Sequence, residues 1–135
     1  MTTDRRNVSL TVVFAIALLL PIAGQVARGQ EANATLTSRA IAFVHMLAQG
    51  NFDGAEADFT DQMKQAAPPT KLSEVWTGVQ SQAGPYQGTG DAKTVVKGGY
   101  TTVVVATRFK LQAIGIAVTF DSAQKIAGMH FVPPP

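Results

Sequence analysis

Few side chains of this sequence could bind a metal ion. His45 and His130 lie in different segments, and the sequence contains no cysteine. Neither histidine belongs to a His-x-x-x-His or His-Glu-x-x-His motif, the spacings that bring two ligands onto one helical face. The glycines at 84–90 and 98–99 lack the spacing of a phosphate-binding loop and predict turns. We therefore expect neither a metal site nor a bound cofactor.

Acid–base catalysis in an apolar pocket is the second chemistry to consider. It needs a carboxylate that acts as the base and a hydrogen-bond donor for the developing oxyanion. Asp58, Tyr86 and Tyr100 have suitable side chains. Asp58 adjoins the predicted core residue Phe59 on a short helix, which favours an exposed helical carboxylate. We expect no catalytic residue, and we keep Asp58 and Tyr100 as candidates for lining a ligand cavity.

His130 and Trp76 complete the candidates for ligand contact. The last predicted strand alternates poorly, so the sequence leaves open whether the His130 imidazole faces a cavity or solvent. Trp76 could stack on a ligand, but its helical spacing with Leu72 and Val79 favours a position in the core or in a cavity wall. His45 lies opposite the apolar stripe of its helix and is expected in solvent.

The first 29 residues have the pattern of an export signal. Arg5 and Arg6 precede an almost wholly apolar stretch over 8–23, and Ala27-Arg28-Gly29 offers small residues to a signal peptidase. We expect cleavage between Gly29 and Gln30 and a periplasmic or secreted product. The alternative is an uncleaved anchor, because about 20 apolar residues can span a bilayer. That anchor is the only attachment to a membrane that we expect.

The charge of the exported part argues against a nucleic-acid partner. Removal of Arg5, Arg6 and Arg28 reduces the 11 basic residues to eight, and removal of Asp4 reduces the 9 acidic residues to eight. The mature domain is then formally neutral, and its basic residues are scattered along the chain. A nucleic-acid-binding surface needs basic residues clustered on the folded part.

Residues 30–35 are polar and predict a short tether, while 36–135 predict one domain. Helical spacing of apolar residues in the first half of this domain predicts three helices. Gly50 is placed to end the first helix, Asp53 to cap the second and Thr70 to begin the third. The residues predicted to face the core are Leu36, Ala40, Phe43, Val44, Leu47, Ala55, Phe59, Met63, Leu72, Val75, Trp76 and Val79.

Beyond Pro85 the spacing of apolar residues changes from helical to alternating. The Gly98-Gly99 pair is typical of a tight hairpin turn. The predicted strands cover 92–97, 100–110, 114–120 and 125–132. We therefore predict an α+β domain in which N-terminal helices pack on a curved antiparallel sheet of about four strands.

Four segments of the domain carry a resemblance to a known family: 42–52 (AFVHMLAQGNF), 68–76 (PPTKLSEVW), 103–105 (VVV) and 120–131 (FD to KIAGMHF). Through them, residues 38–134 resemble an uncharacterised bacterial domain of the nuclear transport factor 2-like (cystatin-like) superfamily, often found ahead of α/β-hydrolase domains in exported proteins. The resemblance implies a cone with an apolar cavity, no agreed activity and no catalytic residues. The sequence has no Gly-x-Ser-x-Gly elbow, so hydrolase chemistry would reside in another polypeptide.

These expectations define one leading function and two alternatives. The leading function is an exported, non-catalytic accessory or binding module. It would hold a small apolar ligand, or a protein partner such as an exported hydrolase, through its cone cavity or its sheet face. One alternative is a small cavity-type enzyme, isomerase-like or dehydratase-like, with a buried carboxylate or His130 of shifted pKa. The other is a structural domain that forms a homodimer through an exposed apolar face.

Overall fold

The structure is a computed structural model that describes residues 32–135. Residues Thr35–Pro135 form one compact unit. The predicted export segment and its cleavage site between Gly29 and Gln30 lie outside the described residues. Within the described part, no helix combines the length and the apolarity needed to cross a membrane.

In the described residues, four helices precede four strands. The helices are α1 (32–48, as far as it is described), α2 (Phe52–Glu56), α3 (Asp61–Ala66) and α4 (Pro69–Ala83). The strands are β1 (Tyr86–Lys97), β2 (Tyr100–Phe109), β3 (Ala113–Phe120) and β4 (Ile126–Val132). Neighbours in the order β1-β2-β3-β4 pair antiparallel. The predicted α+β class, with helices followed by an antiparallel meander, is confirmed.

One face of the sheet, which we call the inner face, packs against the helices. On it, Val103 and Val105 of β2 lie opposite Val118 and Ile116 of β3, and all four are inaccessible to solvent. Helical residues of the same core are Leu36, Ala40, Phe43, Val44 and Leu47 of α1, and Leu72 and Trp76 of α4. Removal of these apolar side chains from water is the main force that holds the two layers together.

The second predicted helix is wrong, because the chain forms two short helices there. Asn51 caps α2 by accepting a hydrogen bond from the Gly54 amide at 3.0 Å, so Asp53 is not the cap. Between α2 and α3, Phe59 pairs with Ile126 at the start of β4 and is fully buried. The four-residue spacing around Phe59 does mark buried side chains, but pairing with the sheet interrupts the helix.

Several element boundaries also differ from the predicted ones. α4 begins at Pro69 rather than Thr70. The first position of a helix makes no intrahelical hydrogen bond through its amide, so a proline, which has no amide hydrogen, is tolerated there. β1 begins at Tyr86 rather than Ala92. Two irregularities in its register, between Tyr86 and Gly88 and between Thr89 and Ala92, allow the glycine-containing segment to stay paired with β2. Residues 32–35, expected within a tether, are helical.

A bulge in β4 decides which side of the sheet its later residues face. The pairing of β4 with β3 passes over Ala127. Ile126 before the bulge is buried, and Met129 and Phe131 after it pack against the core. His130 points to the opposite side and is exposed. The strand alternates poorly in the sequence because the bulge reverses which positions face inward: the even-numbered Ile126 does so before it, and the odd-numbered Met129 and Phe131 do so after it.

Candidate functional site on the outer face of the sheet

The second face of the sheet, which we call the outer face, has a different chemical character. Residues paired across neighbouring strands lie on the same face, so the register identifies its members. They are Lys93, Val95 and Lys97 of β1, Tyr100, Thr102, Val104, Ala106 and Arg108 of β2, Ala113, Gly115, Ala117 and Thr119 of β3, and Gly128, His130 and Val132 of β4. Polar and small residues thus dominate this face, whereas most residues on the reverse side of the sheet are apolar.

A depression of about 440 Å³ lies at one end of the outer face, where β2 begins and β3 ends. We call it the outer-face pocket. Its lining consists of six polar side chains and two small residues: Thr60, Gln62, Tyr100, Thr119, Asp121 and His130, with Ala127 and Gly128. Small-molecule sites have volumes of about 300–1,000 Å³. The pocket therefore has the size of a ligand site, and it brings together two of the sequence candidates, Tyr100 and His130.

The floor of the pocket lies around Gly128. This glycine pairs with Thr119 in the ladder between β3 and β4. A Cβ atom at position 128 would lie 3.8 Å from His130 Nε2 and 3.8 Å from Thr119 Cβ, so the glycine leaves open the space between these side chains. The Thr119 hydroxyl lies 2.9 Å from the Thr102 hydroxyl, within hydrogen-bonding distance. The floor is thus open above Gly128, and the hydrogen bond between Thr119 and Thr102 fixes one of its sides.

The turn between β3 and β4 supplies the carboxylate of Asp121. Its Oδ1 accepts hydrogen bonds from the backbone amides of Ala123 at 3.0 Å and Lys125 at 2.9 Å. Gln124 adopts a left-handed φ of 62°, as a tight turn of this kind requires. The carboxylate is therefore held at the rim by the turn that it stabilises.

Thr60 and Gln62 reach the pocket because the segment before α3 pairs with the start of β4. The Ile126 amide donates to the Asp58 carbonyl at 2.8 Å, and the Thr60 amide donates to the Ile126 carbonyl at 3.0 Å. Thr60 also caps α3, since its Oγ1 accepts a hydrogen bond from the Met63 amide at 3.1 Å. Gln62 follows in the first turn of α3. Backbone pairing between distant segments therefore builds this part of the rim.

Tyr100 stands at the edge of the pocket, at the first position of β2. The preceding Gly98 and Gly99 have φ angles of 57° and 81°, the left-handed conformations that a two-residue hairpin turn requires. Tyr100 is 50% exposed. Its side chain can offer a ligand both the face of its ring and its hydroxyl group.

Trp76 lies in the core and not in the outer-face pocket. It is 4% exposed, and its ring centroid lies 5.8 Å from that of Tyr86 and 5.6 Å from that of Phe109. Phe43 and Phe59 form a second aromatic contact in the same core, with centroids 5.8 Å apart. Aromatic side chains therefore occupy space between the helices and the sheet, where the family resemblance implied an apolar cavity.

Asp58 lies in the turn after α2 rather than within a helix, and its side chain is 58% exposed. Its Oδ2 lies 3.3 Å from Arg39 Nη2 of α1. The Arg39 guanidinium carbon also lies 5.3 Å from the centroid of the Phe120 ring. The Asp58 side chain does not line the pocket, and only its backbone carbonyl takes part in the pairing that positions the rim.

Tyr86 is remote from the pocket, because it pairs with Phe109 at the opposite end of β2 from Tyr100. Burial raises the pKa of the Tyr86 hydroxyl above its ordinary value of 10.0, and the charge of Arg108 lowers this pKa by a smaller amount. A phenol with a raised pKa is a poorer proton donor. Tyr86 is thus placed as a packing residue at the end of the core.

The chemistry available in the pocket is hydrogen bonding. Its polar groups comprise three hydroxyls, one amide, one imidazole and one carboxylate. Among residues 32–135, no three His, Asp or Glu side chains are grouped so that they could hold a metal ion. Apart from the carboxylate and a doubly protonated imidazole, these groups both donate and accept hydrogen bonds.

Sequence reasoning missed six of the eight lining residues: the small Ala127 and Gly128, and the polar Thr60, Gln62, Thr119 and Asp121. Thr119 has an outward position in a strictly alternating strand, as does its partner Thr102, and this pattern could have placed both on one face. Asp121 is recognisable from the sequence only as a turn residue. Thr60 and Gln62 carry no sequence signal for the pocket, because their place depends on the pairing of Phe59 with β4.

One protein family has a model that matches this chain, over residues 40–129. The family is described as a protein of unknown function, DUF3887. The matched region extends from α1 into β4 and contains every residue that lines the outer-face pocket except His130. No curated protein and no solved structure matches the chain.

Proposed function

This chain belongs to the DUF3887 family of proteins of unknown function, and we propose that it is an exported, non-catalytic binding domain that holds a small ligand in the outer-face pocket. One observation carries the proposal. Polar side chains from α3, β2, β3, β4 and the turns beside them converge on a floor that Gly128 leaves open. A few convergent polar groups around a preformed concavity are the usual form of a small-molecule site.

The packing of the core supports the outer face over an internal cavity. Trp76 and Phe109 fill the region between α4 and the sheet, and Phe59 and Phe43 fill the region beneath α1. An internal ligand would have to displace these side chains, and truncation of such residues typically costs about 3–5 kcal/mol. The outer-face pocket needs no such rearrangement, and it favours a more polar ligand than the cone cavity would.

The surroundings of the titratable groups support binding rather than catalysis. A general base needs a carboxylate or an imidazole that a ligand can reach and that water does not solvate freely. Asp58 is exposed and paired with Arg39, and Asp121 is engaged by the amides of its own turn. His130 lies on an exposed strand position. These placements suit groups that orient a ligand.

The proposal also includes an address and a finer fold assignment. Export rests on the charged and apolar order of residues 1–29. Helices on one side of a four-stranded antiparallel meander support the nuclear transport factor 2-like assignment. An exported hydrolase remains the proposed protein partner, since the domain that this chain resembles often precedes α/β-hydrolase domains.

Two glycine substitutions test whether the pocket binds small molecules. Gly128→Val places a side chain between His130 and Thr119. Gly90→Val is the matched control, because Gly90 also lies in a strand and a Cβ there meets only Ala106, at 3.6 Å or more.

We expect protein-detected NMR with a chemically mixed fragment collection to give compounds that shift the resonances of Thr119, Gly128 and His130. Gly128→Val should weaken their binding at least about tenfold, or about 1.4 kcal/mol, while Gly90→Val leaves it unchanged. Fragments that bind both variants equally well, or that perturb only core residues, would contradict the proposal.

A further inference from the structure

The charge of the outer-face pocket restricts the ligands that it can hold. None of its eight lining residues is lysine or arginine, and its one carboxylate is that of Asp121. Sites for phosphates and carboxylates usually present arginine, lysine or a cluster of backbone amides. An anionic ligand would meet the Asp121 charge without a lining arginine or lysine to balance it.

The carboxylate of Asp121 is also poorly placed to select a cation. Its Oδ1 already accepts hydrogen bonds from Ala123 at 3.0 Å and Lys125 at 2.9 Å. A single carboxylate engaged in this way can accept a hydrogen bond from a ligand more readily than it can hold an ammonium group by charge alone.

The remaining lining groups are suited to hydroxyl groups. The hydroxyls of Thr60, Thr119 and Tyr100 and the amide of Gln62 each donate and accept hydrogen bonds. A ligand hydroxyl does both as well, so such partners satisfy one another in several orientations. The lining also includes the small residues Ala127 and Gly128 and the Tyr100 ring, and an aromatic ring suits the C–H face of a flat ring.

We infer that the outer-face pocket binds a neutral, hydroxyl-rich small molecule of the mono- or disaccharide class. The inference rests on the proposed binding function and names the chemistry of its ligand. Tyr100 packs on the ring of the sugar, Thr119 and His130 bind its hydroxyls at the floor, and Thr60, Gln62 and Asp121 bind those at the rim. Gly128 gives the sugar access to the floor.

The test is an NMR titration of the protein purified from expression of the full chain. The neutral probes are cellobiose and diacetylchitobiose, the anionic probes are inorganic phosphate and citrate, and choline is the cationic probe. At millimolar concentrations we expect at least one disaccharide to shift the resonances of Thr119, Gly128 and His130. Phosphate, citrate and choline should leave these resonances unchanged.

Variants of two residues sharpen the result. Gly128→Val should weaken disaccharide binding at least about tenfold, and Gly90→Val should not change it. Tyr100→Ala should weaken it by about threefold to tenfold, and Tyr100→Phe by less, since the ring is retained. Thermal unfolding of each variant shows whether a loss of binding comes from a loss of fold.

Each outcome distinguishes the ligand class from the binding function. If phosphate, citrate or choline binds in the pocket and the disaccharides do not, the inferred class is wrong while the binding function stands. If no disaccharide binds, the inferred class is also wrong, and the mixed fragment collection decides the binding function separately. Disaccharide binding that Gly128→Val leaves intact would place the sugar elsewhere and overturn the inference.

Discussion

The two faces of the same four-stranded sheet differ in almost every respect. On the inner face, Val103 and Val118 are paired and fully buried, whereas Thr102 and Thr119, the next pair along the ladder, share a hydrogen bond on the outer face. Successive side chains of a strand point to opposite sides. One segment of sequence can therefore serve the core and a polar surface at once.

The difference between the faces separates stability from recognition. Burial of apolar area stabilises the domain from the inner side, at about 25 cal/mol for each Å² removed from water. The outer face contributes little burial at Tyr100 and His130, so its residues can vary in chemistry without loss of the fold. Substitutions at Trp76, Gly115 and Tyr86 test this separation.

The largest effect is expected for Trp76→Ala. Trp76 contacts Tyr86 and Phe109 in the core, so its truncation removes buried area and leaves a cavity. We expect the free energy of unfolding to fall by about 3–5 kcal/mol in urea denaturation.

The matched control for Trp76→Ala is Val95→Ala on the outer face, which is 48% exposed and should change stability by no more than about 0.5 kcal/mol. If Trp76→Ala left stability intact but abolished ligand binding, Trp76 would be a ligand contact. The separation of the two faces would then be incorrect.

An intermediate effect is expected within the outer face itself, where two glycines of neighbouring strands differ in their surroundings. A Cβ at Gly115 would lie 2.6 Å from the Pro133 carbonyl oxygen and 3.0 Å from side-chain atoms of Val104 and Val132. We expect Gly115→Ala to destabilise the protein by about 1–3 kcal/mol, because the chain around it must move.

Gly128→Ala is the comparison for Gly115→Ala. Its new methyl group meets only ordinary contacts at 3.8 Å, so the thermal midpoint should stay close to that of the wild type. Equal destabilisation by both substitutions would show that the space above Gly128 is filled, and that the outer-face pocket is not open.

The smallest effect concerns the pH dependence of stability at the end of the inner face. The pKa of Tyr86 is raised above 10.0 by burial, so the folded protein keeps this proton at a pH where the unfolded chain has lost it. Its contribution to stability is therefore complete below pH 10.0 and is lost as the pH rises through the folded-state pKa.

Tyr86→Phe removes this dependence on pH. The free energy of unfolding of each protein is measured in urea at about pH 9 and at about pH 11. Between these two pH values, the wild type should lose more of its free energy of unfolding than Tyr86→Phe does. A constant difference would mean that water solvates the hydroxyl freely in the folded protein.

The sequence predicted the layers of this domain well because periodicity is local. The apolar spacing of Phe43, Val44 and Leu47 predicted the buried side of α1, and the alternation from Ile116 to Phe120 predicted the inner face of β3. Gly98-Gly99 predicted the hairpin turn from the left-handed conformation that glycine adopts readily. Each of these patterns depends only on residues a few positions apart.

The candidate site was less predictable for a physical reason. Tyr100 and His130 were identified by residue type, but the two lie in different strands, and only the register of the sheet brings them to one end of the outer face. The bulge at Ala127 decided the side that His130 faces. Asp58 and Trp76 had suitable side chains but were placed in solvent and in the core.

The sequence alone was sufficient for the α+β class, the order of helices before strands, the buried sides of α1 and β3 and, apart from the half-buried Val75, the buried side of α4. Hydrophobic spacing encodes which side of each element leaves water. Three features could be read only from the folded chain: the interruption of the second helix at Phe59, the phase of β4 and the composition of the outer-face pocket. All three depend on hydrogen bonds between separate segments of the chain, and the spacing of residues within one segment carries no record of such pairing.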